Sequence, residues 1–473
     1  MTARVSGRPL DGLFAAAFGL VGLALGARPI GDNSTFVHLR TGIEIVAGRG
    51  IPRVDPYSAT AAGTEWVVQS WLPSLAYGLA NRLDGSGGAL LILNGAITAL
   101  LALLVHRLAR AGSALRTVGA ALVAVAVSGP WWSPRPLLVG LICLALTMLV
   151  VESGRRPWLL LPVAWVWVNG HGSFPLAAVW LVATALGAAF DERRLVTPRF
   201  RAGLWFLGGL ILACANPLGP KLLLFPLTLG ERREVFRLIT EWRPADFQSG
   251  PGLVAAAGLA AAFVVLSRRR VPWAAAVPAG VFVLLSLVAQ RNLAPAGIVL
   301  APALGAALAR RETAVAAETE VSEVRTSRPA GGVRLLSVLV AAAAVLLVAN
   351  ALSSGALNLK DYPVEVVRSA ERSGLIAQGE LVATQDTVGC YLILRRGRRA
   401  EVFIDDRYDM YPTAVSLDYL TLLRSRPGAT EVLDRRGVDA VLWERSLPLV
   451  PTLLGSGWRE VAGDRRWVIL QRA

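Results

Sequence analysis

Up to residue 352 the chain is a succession of apolar runs, most of them about 15 to 20 residues long, separated by short polar breaks rich in arginine. Runs of that length read as membrane helices, because a helix needs about 20 apolar residues to cross roughly 30 Å of hydrocarbon. The pattern predicts eleven spans, at residues 13–30, 88–105, 118–132, 136–151, 158–168, 174–190, 204–215, 253–266, 271–288, 293–308 and 333–352. The first is read as a retained helix, since it carries no convincing small-residue cleavage site.

Two stretches break the rhythm. Residues 31–57 form a polar stretch dense in ionisable groups and read as a loop. Residues 65–83 then read as an amphipathic helix, with Val67, Val68, Trp71, Leu72, Leu75 and Leu79 on one face and Gln69, Ser70 and Ser74 on the other. With Trp66 and Trp71 at its start, that helix is expected to lie along the bilayer interface. Residues 310–332 read as a polar linker. Residues 360–473 read as a soluble α/β domain, with strands at 381–384, 389–394, 401–404, 438–443 and 467–470 and helices at 364–373, 414–424 and 447–454. The expected fold is therefore mainly α: a polytopic transmembrane domain (1–309) with an extracytoplasmic first loop (31–87), a cytoplasmic linker (310–332), a last membrane helix (333–352) and a small C-terminal extracytoplasmic α/β domain.

Composition agrees. The chain is 54% hydrophobic and 17% charged, where soluble domains carry about 25% charged residues. A net charge of +15 would point to nucleic acid in a soluble chain. Here the arginines close apolar runs, so membrane topology explains them and no nucleic-acid partner is expected. Cys143, Cys214 and Cys390 have no spacing that suits a disulfide framework or a metal knuckle.

Placing the N-terminus in the cytoplasm sends the arginine clusters at 107–116, 155–156, 193–201, 268–270 and 310–334 to one side, the cytoplasmic side by the positive-inside rule. Six polar junctions then fall on the outer face: the first loop, Trp131–Pro136, Trp167–Gly172, Asn216–Pro220, Glu241–Pro244 and Gln290–Asn292. Their convergence is the pattern of one site built from several loops.

The candidate residues follow from that face. Asp32 is an acid at a span boundary; such an acid is either solvated or a catalytic base. His38 and His171 are two of three histidines in the chain, and their roles divide between a structural one and a catalytic or metal-binding one. Arg135 and Arg291 sit outside against the positive-inside bias and call for a phosphate or a carboxylate such as Asp32 or Glu241. Arg40 and Arg243 complete the candidate binding set. In the tail, Asp405, Asp406 and Asp409 read as solvated charges at a strand end, with a cation or sugar site as the alternative.

The residues Asp32–Gly42, Pro52–Ser58 and Trp66–Leu72, with Arg135-Pro136, Asn169–Gly172, Asn216–Gly219, Glu241-Trp242 and Arg291-Asn292, resemble a group of bacterial multi-pass membrane proteins similar to the GT-C superfamily of polyprenyl-phosphate-sugar-dependent glycosyltransferases. The segment Phe403–Tyr411 resembles the tail of the same group. The resemblance implies transfer of a sugar from a polyprenyl-phosphate donor to a cell-envelope glycan, lipid or protein acceptor, at the outer face of a bacterial plasma membrane. It implies Asp32 as catalytic base. Two departures stand out: Thr35-Phe36 occupies the place of an aromatic pair, and no second acid follows Asp32 closely. A paired-acid metal site is therefore not expected, although a divalent cation stays open. A non-enzymatic envelope-assembly scaffold and a lipid or polysaccharide transporter are the alternatives; no internal repeat supports the transporter.

Overall fold

The structure, a computed structural model, describes residues 8–236, 239–309, 330–375 and 380–472. Most of the predicted linker, residues 310–329, lies outside the described residues. The chain divides into two compact units.

The first unit (Met1–Arg28, Ser86–Ala215, Thr240–Ala356) is helical. Its helices cross at small residues, which let backbones approach closely. A β-carbon at Gly22 of helix Arg8–Gly26 would lie 2.7 Å from the Ala99 Cα in helix Gly88–Leu108. Helix Leu293–Leu308 is buried along almost its whole length, and Gly297 there faces the Ala124 carbonyl of helix Ala114–Ser128. Helix Ala330–Ser353 instead exposes Leu335, Leu339, Val345 and Leu346, an apolar surface suited to lipid.

Every predicted span overlaps a helix of this unit. Among the described residues, six helices are long and apolar enough to cross a membrane: Gly88–Leu108, Ala114–Trp131, Pro175–Glu192, Gly250–Ser267, Gln290–Leu308 and Leu335–Ser353. Leu160–Gly170 shows why others fall short, since its 11 residues rise only about 16 Å, half the hydrocarbon thickness. The chain is a multi-pass membrane protein.

The second unit joins Pro29–Gly85, Asn216–Ile239 and Leu357–Ala473. Residues 33–44, predicted as loop, are the helix Asn33–Glu44. It buries Thr35, Phe36, Val37, Leu39, Thr41, Gly42 and Glu44, so it lacks the apolar stripe that marks a helix with one wet face. The predicted 65–83 helix begins only at Trp71; Glu65 is instead bridged to Val54. Helices 33–44 and Trp71–Leu83 are in direct backbone contact, because a β-carbon at Gly42 would meet the Ser74 carbonyl oxygen at 1.8 Å. The side of 71–83 that faces protein is the small and polar one, with Ser74, Tyr77 and Gly78 buried, while Leu79 and Leu83 are exposed.

The tail carries a four-stranded sheet, order β1-β2-β4-β3, of Val382–Thr384 (β1), Ala440–Glu444 (β2), Trp458–Gly463 (β3) and Trp467–Arg472 (β4). Only β1 and β2 pair in parallel. Residues 389–394, predicted as a strand, belong to helix Asp386–Arg396; residues 388–393 are all buried, so periodicity could not separate helix from strand. Residues 401–404 form no ladder strand: Val402 makes single bridges to Ser58 and to Val382. The edge strand β3 went unpredicted because it buries little beyond Trp458.

Candidate functional site

Asp32 is the N-cap of helix 33–44, its Oδ1 accepting from the Ser34 N–H at 3.1 Å. Ser34 and Asn33 are thereby placed at the helix entrance. The Asn33 amide donates to Asp406 Oδ2 (3.4 Å) and to Cys390 Sγ (3.8 Å), and the Asp406 N–H also donates to that sulfur at 3.4 Å. Tyr362 closes the group by donating to the Gly31 carbonyl at 3.0 Å.

Asp406 is thus an acid in the neighbourhood of Asp32, close enough for the charge of Asp32 to act on it. Burial pushes its carboxyl up to about 7, and the charges of Asp405, Asp32 and Asp386 add to that. Burial likewise raises the Cys390 thiol well above its ordinary value, with Asp406 and Asp405 reinforcing it. The Tyr362 phenol is raised by burial first, then by Cys390, Asp32 and Asp406.

The expectation of solvated charges in the tail is overturned for Asp405, while Asp406 and Asp409 are half-buried. Asp405 is fully buried and Arg407 nearly so. Arg407 grips Asp405 with two parallel bonds of 2.7 Å, a third 2.8 Å contact reaches Asp55, and Tyr411 donates to Asp405 at 2.6 Å. The guanidinium lies 4.4 Å from the Trp66 ring centre. Asp55 also accepts from the Tyr57 and Ser58 N–H groups at 3.1 Å each. One buried network therefore links the segments 52–58 and 66 with 405–411, and this explains why they are so polar.

These facts bear on a cation. Cys390, Asp405 and Asp406 each offer a ligand atom within 4.8 Å of the others. Both Asp405 oxygens are already engaged by Arg407 and Tyr411, which leaves one carboxylate and one thiol. One carboxylate and one thiol do not make an all-protein cage for a hard divalent cation, which takes oxygen ligands.

His38 and Arg40 lie further along helix 33–44. The Ser74 hydroxyl donates to the Ser70 carbonyl, so at 3.0 Å from His38 Nδ1 it is left to accept, placing the proton on Nδ1. Arg40 lies about 12 Å of helical rise from Asp32 and donates to the buried Glu44, which Arg398 also binds at 2.8 Å. Asp32 and Arg40 therefore mark opposite ends of the helix.

In the first unit, three chain segments bring candidates together. Arg135 is ion-paired with Glu241. Arg291 stacks on Trp242, 4.3 Å from the ring centre, and the Gln290 N–H donates to the Arg243 carbonyl at 2.7 Å. Glu241 and Arg135 both act electrostatically on Arg291, so the three charges share one neighbourhood. Such a group can accept a further anionic oxygen. His171 terminates helix Leu160–Gly170, and its Nδ1 accepts from the Ser173 N–H at 3.2 Å, which leaves Nε2 as the protonated nitrogen of the neutral ring.

No protein-family model matches the sequence, and no curated protein is similar to it. Solved structures are similar. The archaeal oligosaccharyltransferase AglB from Archaeoglobus fulgidus, in complex with an inhibitory peptide and a dolichol-phosphate, aligns with a TM-score of 0.56 at 13% identity, covering 91% of this chain and 69% of that one. ArnT from Cupriavidus metallidurans bound to undecaprenyl phosphate aligns with a TM-score of 0.47 at 14% identity, over 99% and 98% of the two chains. The likeness to AglB bears out the GT-C resemblance at the level of the fold.

Proposed function

We propose that this chain is a membrane glycosyltransferase that moves a hexose or pentose from a polyprenyl-phosphate donor to a cell-envelope acceptor, with Asp32 as general base. The observation that supports the reading is the fold, shared along 91% of the chain with an oligosaccharyltransferase whose structure holds a dolichol-phosphate. The reading includes eleven spans in a bacterial plasma membrane, a cytoplasmic N-terminus and an extracytoplasmic C-terminal region.

The chemistry asks little beyond the residues described. The acceptor oxygen attacks the anomeric carbon, and its proton passes to the Asp32 carboxylate. The bond from that carbon to the phosphate oxygen breaks, and the polyprenyl phosphate leaves with the electron pair. A single inverting displacement needs one base and positive charge for the leaving group. The capping bond holds the Asp32 side chain at a fixed helix entrance. Arg135 and Arg291 supply charge for the phosphate, with Glu241 and Arg243 fixing their segments; His38, Arg40 and His171 complete the proposed binding set.

A non-enzymatic scaffold is the second reading. It is favoured by the structural tasks already held by the acids of the first segment, Asp32 as cap and Glu44 and Asp55 in ion pairs. The two readings separate on the full chain in lipid nanodiscs, supplied with polyprenyl-phosphate hexoses and pentoses and an envelope extract. Release of polyprenyl phosphate supports the transferase. No release from any donor, with an envelope defect on deleting residues 357–473, supports the scaffold.

A further inference from the structure

An apolar groove of about 460 Å³ runs between helices Gly250–Ser267 and Trp273–Val288 of the first unit, within the size range of small-molecule sites. Phe263, Leu266, Ala276, Gly280, Val283 and Leu300 line it, and Arg269 and Trp273 stand at one end. Arg269 is the middle of three successive arginines, Arg268–Arg270, all exposed. Among the described residues none of the three has a carboxylate partner. The acid at that end is Asp191, whose two oxygens are engaged by the Trp273 and Ala274 N–H groups at 3.0 and 2.9 Å.

From Trp273 to Val283 the groove follows ten residues of helix, about 15 Å, which is half the hydrocarbon thickness. Tryptophan marks the level of the headgroups. The groove is therefore as long as one leaflet, apolar along its length and cationic where a headgroup would sit. A polyprenyl chain is longer than such a groove, whereas a phospholipid acyl tail matches it. Substitution room is present as well: a β-carbon at Gly280 would have no neighbour within 4 Å.

From this we infer that the groove is a binding site for an anionic phospholipid, its acyl chain between the two helices and its phosphate at Arg268–Arg270. The site is independent of the proposed glycosyl transfer.

The test uses the full chain in detergent, with bound lipid counted by native mass spectrometry. Phosphatidylglycerol and phosphatidylcholine of identical chains are the probes, and undecaprenyl phosphate is the competitor. Phosphatidylglycerol is expected to bind about tenfold tighter than phosphatidylcholine, the size of one charge-assisted contact. Arg269→Gln, which leaves the apolar lining intact, should remove most of that preference. Gly280→Phe should lower retention of both lipids by filling the groove. Equal binding of the two phospholipids, a preference unchanged in Arg269→Gln, or displacement of bound phosphatidylglycerol by equimolar undecaprenyl phosphate would overturn the inference.

Discussion

Arg407 is the residue whose loss should cost the second unit most. Replacing it with leucine removes both charge-assisted bonds to Asp405 and the contact to Asp55, and the stacking on Trp66 with them. The two acids do not suffer equally. Asp55 keeps three donors, the Tyr57 and Ser58 N–H groups and the Ser58 hydroxyl, whereas Asp405 keeps two, Tyr411 and the Arg407 backbone N–H at 3.0 Å. Asp405 thus remains as a buried carboxylate without a cation. Breaking a buried pair by removing one partner costs about 3–5 kcal/mol, and the lost ring contact adds about 1 kcal/mol. Arg407→Leu should therefore destabilise the chain by about 5 kcal/mol. Asp405→Asn removes the orphaned charge while still accepting from Tyr411, so the double variant should recover about 1–3 kcal/mol relative to additivity. Denaturant unfolding of the full chain in detergent measures both quantities. A single-variant loss below about 1 kcal/mol, or strict additivity in the cycle, would refute the claim that this network ties 52–66 to 405–411.

Further expectations rest on other parts of the structure. Gly42→Ala should strongly reduce folded protein, because its β-carbon would overlap the Ser74 carbonyl; Gly85→Ala, with open space around it, should be neutral in the same thermal melts. Asp406 has its carboxyl pushed up to about 7, above the ordinary value near 4, so its contribution is present below about pH 4 and lost as pH rises through 7. Asp406→Asn should thus gain stability relative to the parent chain between pH 5 and 8, read as a widening difference in Tm. Arg135→Gln should raise the KM for the polyprenyl-phosphate donor by about tenfold with less effect on kcat, if the arginine binds phosphate equally in ground and transition states.

The membrane part was the legible part of the chain, because hydropathy over 15 to 20 residues reports burial in lipid directly. Helix 33–44 was not legible: Thr35, Thr41 and Glu44 are buried by specific partners, and a polar buried helix has the composition of a loop. The strand misread at 389–394 has the same origin, a segment buried on every side. The pairing of Arg135 with Glu241 was legible in kind, since a cation at the start of an apolar run needs a counter-charge. Asp406 as neighbour of Asn33 was not, because the two are 373 positions apart and no local pattern encodes the contact. The cluster of three acids around Arg407 in 405–409 was a usable signal, although it read as solvated rather than buried.

Asp32 carries both a capping bond and the proposed catalytic role, and one substitution separates them. Asparagine caps a helix about as well as aspartate but cannot take the acceptor proton. In nanodiscs with a polyprenyl-phosphate sugar that the parent chain turns over, Asp32→Asn should keep the parental melting temperature and lose about 10²- to 10⁴-fold in kcat. An Asp32→Asn chain that folds normally and transfers sugar at the parental rate would contradict the assignment of Asp32 as the base.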